Sequence, residues 1–284
     1  MYPIPDGVLA ALLAEDIPYG DLTTRSLGIG RRPGRMSFAA RQPMVACCTE
    51  EAARILESLG CAATVLCPSG RAAAAGAPLL EASGPAEALL AGWKVAQTLV
   101  EWTSGVAGAV RAIIDAARAV DPAIVVACTR KAVPGTRALS AKAICVAGAT
   151  MHRCGLSETI LLFPEHRAFA DAADPLGAQV RELRARNPER SIVVEVKTLD
   201  DALAARAAGA NVLQLEKFPP TRVADLTARL ARDGGPQPVI AAAGGITVAN
   251  AAAYARAGAH VLVTSSPYAA TPADVQVTIA ATPG

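Results

Sequence analysis

From about residue 123 onward, short apolar runs rich in β-branched residues alternate with Ala-rich stretches of helical character. The runs predict strands over 123–128, 159–163, 191–196, 211–215, 238–242 and 260–264. Helices are predicted near 136–147, 174–187, 198–208, 219–232 and 247–257. A strand that reads as a continuous apolar run is covered on both faces, and a helix after each such strand makes the sheet parallel. Almost every run ends in reactive or permissive residues: Arg130 and Lys131, Glu195 and Lys197, Glu216 and Lys217, Gly244 and Gly245, Ser265 and Ser266. Many strand ends feeding one site is the pattern of a barrel's C-terminal face, whereas an open sheet gathers its site at one switch point. The span 123–264 is shorter than the roughly 200 or more residues of eight βα units. The expectation is therefore an incomplete barrel of six or seven strands.

The first 122 residues follow another pattern. A short helix near 6–14 leads into an acidic, turn-rich loop from Glu15 to Asp21, then strands near 35–41 and 43–48. Thr49 is a suitable N-cap for a helix to residue 59, with Glu50 and Glu51 well placed in its first turn. Strands near 63–67 and 78–82 complete a small α+β layer, and Pro85 opens a long helix to about Trp102. A last helix is expected near 272–280, returning to pack on either domain.

Composition narrows the function. The 284 residues are 52% hydrophobic but only 4% aromatic, so the core is built from Ala, Val, Leu and Ile, which favours an α/β protein. A formal charge of +2, with no basic run interleaved by aromatics, argues against a nucleic-acid surface, so positive potential must be local. The N-terminus has neither the basic nor the apolar region of an export signal, and no apolar stretch is long enough to cross a bilayer; a cytoplasmic location is expected. Seven scattered cysteines without a Cys-x-x-Cys pair predict neither disulfides nor zinc, and the three histidines (152, 166, 260) are too dispersed for a metal centre.

Candidate chemistry sits at the strand ends. Gly244-Gly245-Ile246 ends one strand and opens a helix, so backbone N–H groups can meet an anion there; the alternative is a plain tight turn. Ser265 and Ser266 place hydroxyls beside it, a phosphate-site pattern in barrels. Arg130, Lys131, Arg153 and Arg137 gather positive charge suited to carboxylate or phosphate. His152 is either a donor to an anion or a buried structural histidine. Glu195 and Glu216 either share one divalent ion, with magnesium suited to few carboxylates plus substrate phosphates, or pair with Lys197 and Lys217.

Taken together, several motifs resemble the quinolinate phosphoribosyltransferase (nicotinate-nucleotide pyrophosphorylase, carboxylating) family over nearly the whole chain. They are Ala14-Glu15-Asp16 with Tyr19-Gly20-Asp21-Leu22-Thr23, Gly84-Pro85 with Leu89-Leu90, Ser104-Gly105-Val106-Ala107, Thr129-Arg130-Lys131 with Pro134-Gly135, and His152-Arg153 with Gly155-Leu156. The resemblance implies an N-terminal α/β (α+β) sandwich domain over 1–108, with 268–284 available to pack back on it, and an incomplete TIM-like α/β barrel over 109–267. It also implies magnesium-assisted transfer of phosphoribose from phosphoribosyl pyrophosphate to a ring nitrogen, with release of pyrophosphate and, for quinolinate, carbon dioxide. On the matching positions, Arg130, Lys131, His152 and Arg153 would hold the acceptor and pyrophosphate, with Lys131 counted among the catalytic residues. Glu195 and Glu216 would face the ribose and Mg2+, and Gly244, Gly245, Ser265 and Ser266 the 5′-phosphate. The implied assembly is a homodimer or higher even oligomer with shared active sites, Lys94 completing the neighbouring one.

The departures concern the acceptor. Trp93-Lys94 stands where the family carries Glu-Arg, Phe163 where it carries an active-site lysine, Glu216-Lys217-Phe218 where it carries Asp-Asn-Phe, and Ala241-x-Ala243-Gly244 where it carries Glu-x-Ser-Gly. Losing a charged partner in a buried site costs about 1.5–3 kcal/mol, so quinolinate, with two carboxylates, is expected to be a poor acceptor. Glu165, His166 and Arg167 are candidates to refill the lost contact. The segment 156–167 with Glu216-Lys217-Phe218 resembles the ModD group of pyrophosphorylases found alongside molybdate-transport genes. Two other readings follow: a non-catalytic binder of phosphate metabolites or an oxyanion such as molybdate, and a phosphate-binding isomerase or aldolase that would need Lys197 or Lys217 as its central lysine.

Overall fold

Alternating burial along residues 33–40 builds the sheet of the N-terminal region: Met36, Phe38 and Ala40 are buried while Pro33 and Arg35 face out. The computed structural model describes residues 3–169 and 175–282. The chain begins with α1 (Asp6–Asp16), α2 (Leu22–Leu27), β1 (Pro33–Ala40), β2 (Met44–Val45), α3 (Thr49–Ser58), β3 (Ala62–Val65), β4 (Ala72–Ala73), β5 (Pro78–Pro85) and α4 (Ala86–Arg118). It continues through β6 (Val125–Cys128), α5 (Arg137–Val146), β7 (Thr150–Met151), β8 (Ile160–Leu162), α6 (Pro164–Arg167), α7 (Leu176–Arg186), β9 (Ile192–Val196) and α8 (Leu199–Ala207). It closes with β10 (Val212–Glu216), α9 (Pro220–Asp233), β11 (Val239–Ala243), α10 (Val248–Arg256), β12 (Val261–Thr264) and β13 (Val275–Ala281). Position 174, where the helix now bounded as α7 was expected to start, lies outside the described residues.

Two units emerge. One comprises Met1–Arg111, Val133–Gly148 and Pro267–Gly284; the other comprises Ala112–Ala132 and Ala149–Ser266. In the first, an antiparallel sheet runs in the order β13-β1-β5-β3, with α3 against β3 and β5. The helix expected near 272–280 is instead β13. Its apolar positions, Val275, Val277 and Ile279, recur at period two, and the segment pairs with β1 from Gly34↔Ala281 to Ala40↔Val275. Gln97 Nε2 donates to Val275 O at 2.7 Å, and Val275 N donates to Glu101 Oε1 at 3.1 Å, tying the strand's start to α4.

α4 runs on past Trp102 to Arg118. Gly105 does not end it, because Val106, Ala107, Val110, Ile113, Ile114 and Ala117 continue a buried helical stripe. The glycine is there for clearance: a β-carbon at 105 would lie 2.4 Å from Thr271 O. Ser104 Oγ accepts from Cys47 N at 3.0 Å, so the Ser-Gly-Val-Ala motif is a packing element in this unit. Thr49 proves to be the first residue of α3 rather than its cap. Cys48 occupies the cap position at φ 58, and Thr49 Oγ1 donates to Cys67 O at 2.9 Å.

The second unit holds the parallel sheet, seven strands in the order β7-β6-β12-β11-β10-β9-β8. This is the incomplete α/β barrel expected, with the short β7 as a strand the apolar pattern had not revealed. Strand-by-strand register places Glu195 beside Gln214, Gln214 beside Ala241, Glu216 beside Ala243, and Ala243 beside Val263. Neighbours in a parallel ladder share a face, so these residues form one surface of the sheet. Ala241 and Ala243 on β11 are buried and cluster with Val263 of β12. Among the described residues, no helix is long and apolar enough to cross a membrane.

Candidate active site

At the C-terminal ends of the barrel strands lies a cavity of about 530 Å³, within the size range of small-molecule sites. Its lining includes Arg130 and Lys131 after β6, His152 and Arg153 after β7, Glu195 in β9 and Glu216 at the end of β10. Gly244 and Gly245 after β11 and Ser265 and Ser266 after β12 complete the expected set. Lys94 belongs to the first unit, where it lines a different recess with Leu12, Glu15, Asp16 and Trp102. Its Nζ donates to Gln97 Oε1 at 3.0 Å and lies 3.9 Å from the Trp93 ring centre. Arg137 opens α5, also in the first unit.

The cationic side is built by two adjacent strand ends. Thr129 N donates to Thr264 O at 2.9 Å, Lys131 N donates to Thr129 Oγ1 at 3.2 Å, and His152 N donates to Cys128 O at 2.8 Å, which fixes the Thr-Arg-Lys and His-Arg turns. Arg153 is 7% exposed and its guanidinium lies 5.7 Å from the Phe163 ring centre. Burial, and then the charge of Arg130, hold Arg153 below its ordinary value; a guanidinium stays charged regardless. Burial, followed by Arg153, likewise lowers His152 below 6.5, so its imidazole is neutral at pH 7 and offers one N–H and one acceptor nitrogen. Among the described residues, neither Arg130, Lys131 nor Arg153 forms an ion pair with a carboxylate.

The acidic side comes from β9 and β10. Glu195 is 9% exposed and accepts from Gln214 Nε2 at 2.7 Å. Burial, then the charge of Glu216, raise its pKa above the ordinary 4.5; Glu165 adds to the effect and Lys197 opposes it. Neither Glu195 nor Glu216 is ion-paired to Lys197 or Lys217 among the described residues. Two carboxylates facing one cavity suit a hard divalent cation that brings further oxygen ligands with it. No cluster of three or more His, Cys, Asp or Glu able to hold a metal occurs among the described residues.

Glu216 is held by the turn after it. Lys217 sits at φ 57 and its N–H donates to Ala243 O at 2.8 Å, while Phe218 is buried and its carbonyl accepts from Tyr254 Oη at 2.9 Å. Gly244, at φ +88, passes so close that a β-carbon would meet Lys217 Cγ at 2.7 Å and Glu216 Oε1 at 3.0 Å. Beyond it the chain enters α10, with Thr247 N donating to Asn250 Oδ1 at 2.8 Å and Asn250 Nδ2 to Gly245 O at 2.9 Å. Thr264 Oγ1 donates to Ile246 O at 2.7 Å, so the glycine turn and the Ser265-Ser266 segment are fastened together. This is a helix N-terminus behind a left-handed glycine pair, a geometry that receives phosphate.

Among the polar lining residues, Gln214 and Thr247 had not been singled out in the sequence. The signal for Gln214 was its period-two relation to Glu216 inside an otherwise apolar run. The candidates to refill the acceptor pocket do not line it: His166 stacks on Phe163 at 5.7 Å, its Nδ1 accepting from Phe163 N at 3.0 Å, and Arg167 lies 3.6 Å from Asp201. Phe163 itself faces the cavity.

Comparison with known proteins bears on the whole chain. Residues 21–104 match the model of the quinolinate phosphoribosyl transferase N-terminal domain, and residues 106–278 match that of its C-terminal domain. The chain is 57% identical to the Rhodobacter capsulatus protein named "Putative pyrophosphorylase ModD" over 91% of this chain and 98% of that one. It is 30% identical to the human nicotinate-nucleotide pyrophosphorylase (carboxylating) over 92% of this chain and 87% of that one. In fold it is similar to the nicotinate-nucleotide pyrophosphorylase from Francisella tularensis, with a TM-score of 0.88 at 21% identity over 98% of each chain. The chain belongs to the quinolinate phosphoribosyltransferase family and, with it, to the pentosyltransferases.

Proposed function

We propose that this protein transfers phosphoribose from phosphoribosyl pyrophosphate to the ring nitrogen of a small aromatic acid, releasing pyrophosphate. The observation that carries this reading is a single cavity with cations on one side, carboxylates on the other, no ion pair to either among the described residues, and a glycine-helix cradle between strand ends. In the step, the ring-nitrogen lone pair forms a bond to C1′ while the C1′–oxygen bond breaks and its electron pair leaves with pyrophosphate. Were quinolinate accepted, loss of its 2-carboxylate as carbon dioxide would leave the electron pair on the ring carbon, which then takes up a proton.

Arg130, Lys131 and Arg153 hold the acceptor carboxylate and the leaving pyrophosphate, spreading its negative charge as it departs; His152, neutral, adds a hydrogen bond. Glu195 and Glu216 face the ribose, where their charge favours the cationic character that develops at C1′. Gly244, Gly245, Ser265 and Ser266 receive the 5′-phosphate and so fix the sugar against the acceptor. Magnesium bound with the substrate would neutralise the pyrophosphate, with Glu195 and Glu216 the residues placed to hold it. Catalysis of this kind is positioning and charge stabilisation, with no covalent nucleophile.

Phe163 puts an aromatic ring where family members have a lysine, so the acceptor site presents less positive charge and quinolinate is a poor substrate. Lys94 completes the site of a partner subunit in a homodimer. The test is titration of phosphoribosyl pyrophosphate with magnesium, followed by pyrophosphate-release assays with quinolinate and related aromatic acids. Micromolar binding with release for one acid supports the transferase and names its acceptor. Binding of phosphate or molybdate without any release supports a non-catalytic binder instead.

A further inference from the structure

Gln214 is 5% exposed, stands in the middle of β10 beside Glu195 of β9, and lines the cavity. Its Nε2 donates to Glu195 Oε2 at 2.7 Å. Its Oε1 is buried and has no hydrogen-bond partner among the described residues. A buried amide oxygen without a donor is uncommon and costly, because the group has given up its water for nothing in return. The neighbour decides which way the amide faces. An ionised carboxylate only accepts, so the NH2 must face Glu195 and the oxygen must be left for another donor. Across the sheet, Gln214 is flanked by Ala241, whose side chain supplies no donor, so a donor has to come from the cavity that Gln214 lines.

We propose that Gln214 is a specificity-determining residue whose Oε1 accepts a hydrogen bond from a neutral O–H or N–H of the ligand filling the cavity. The proposal rests on the phosphoribosyltransferase reading of that cavity, within which the donor is either a pentose hydroxyl or an amino or hydroxyl substituent on the acceptor ring. A carboxylate in the same place would meet a bare amide oxygen, with Glu195 and Glu216 close by on the same face. The residue therefore selects a donor and rejects an acidic group, which gives a second physical reason, independent of Phe163, for weak binding of a dicarboxylate.

Gln214→Met keeps the length and packing of the side chain and removes both polar groups; Gln214→Leu is a second apolar replacement. Scanning calorimetry on the unliganded proteins comes first. Losing the unsatisfied acceptor favours the fold and losing the Nε2 bond to buried Glu195 opposes it, so Tm stays near that of wild type; a large fall in both variants would assign Gln214 to holding the fold and overturn the proposal. Titrations follow with ribose 5-phosphate and its 2-deoxy and 3-deoxy forms, and with pyridine carboxylates bearing or lacking an amino or hydroxyl substituent. If the donor is the sugar's, wild type prefers ribose 5-phosphate over one deoxy form by roughly 3- to 10-fold and the variants lose that preference. If it is the acceptor's, the same loss appears between substituted and unsubstituted acids. Unchanged preferences in the variants, or none in wild type, overturn the proposal. Should wild type bind no sugar phosphate at all, the phosphoribosyl reading fails separately, and the calorimetry with the acid series still decides the role of Gln214.

Discussion

In the first unit Lys142 is 2% exposed yet has two carboxylates against its ammonium, Glu50 at 3.1 Å and Glu51 in closer contact. In the second, Arg130, Lys131 and Arg153 share one side of a cavity and none is ion-paired to a carboxylate among the described residues. The residue types are alike and the arrangement is opposite. For Lys142, burial pulls the pKa down, but the bond to Glu51 and the charges of Cys48, Glu51 and Glu50 outweigh it and the value is raised above 10.5. For Glu50, burial pushes up, but bonds from Ser69 and the Lys142 charge prevail and the carboxyl is lowered below 4.5. In the cavity the balance tips the other way: Arg153 is lowered and Glu195 raised, each first by burial and then by a neighbour of like charge. Charges that satisfy one another serve the fold. Charges held next to their own kind are the pattern of a functional-site candidate.

The largest effect expected from this contrast is on stability. Lys142→Ala leaves buried Glu51 with only the longer contact to Arg54 at 3.8 Å, at a cost of about 3 kcal/mol in denaturant unfolding. The pH dependence has a definite sign. The raised Lys142 contributes stability that is full below 10.5 and lost as pH rises through its folded value, while the lowered Glu50 contributes stability present above 4.5 and lost on acidification. The cluster is thus at full strength near neutral pH.

Next in size, Arg153→Ala removes a buried charged donor from the cavity. Affinity for phosphoribosyl pyrophosphate or for the acceptor acid falls roughly 10- to 150-fold in titrations, while the fold, in which the guanidinium has no ion pair among the described residues and only the distant Phe163 ring beside it, keeps its Tm to within a few degrees. A comparable loss of Tm would place Arg153 with Lys142 and erase the contrast. Gly244→Ala is smaller and mixed. The left-handed backbone and the 2.7 Å approach to Lys217 Cγ cost more than about 1 kcal/mol of stability and displace the Glu216-Lys217 turn, so phosphate affinity drops as well.

The smallest effect is the most diagnostic in sign. A carboxyl with a raised folded pKa binds more protons folded than unfolded above 4.5, so its ionisation lowers stability as pH rises through that window. Glu195→Gln therefore raises Tm at pH 8, and the gain fades as pH falls toward 4.5. The same variant weakens magnesium-dependent binding of phosphoribosyl pyrophosphate.

Much of the second unit was legible in the chain because continuous apolar runs ending in polar residues have few alternatives: the parallel strands, and the cavity at their ends, follow from that pattern. The first unit was harder. Residues 275–281 read as helix because they are short and Ala-rich at the end, and their strand state depends on pairing with β1, more than 230 positions earlier. α4 runs past the expected end near Trp102 to Arg118, across a glycine that the close approach of Thr271 requires and that sequence pattern alone does not explain. Gln214 stayed hidden because its meaning depends on a neighbour in another strand, Glu195, that uses up its donor and leaves its acceptor bare.

The most direct test of the central claim is calorimetric titration of phosphoribosyl pyrophosphate, with and without magnesium, into wild type and Arg153→Ala. The account predicts micromolar binding to wild type with magnesium, weaker binding without it, and a loss of roughly 10-fold or more in the variant. No binding at millimolar ligand, or equal affinity in the two proteins, would contradict it.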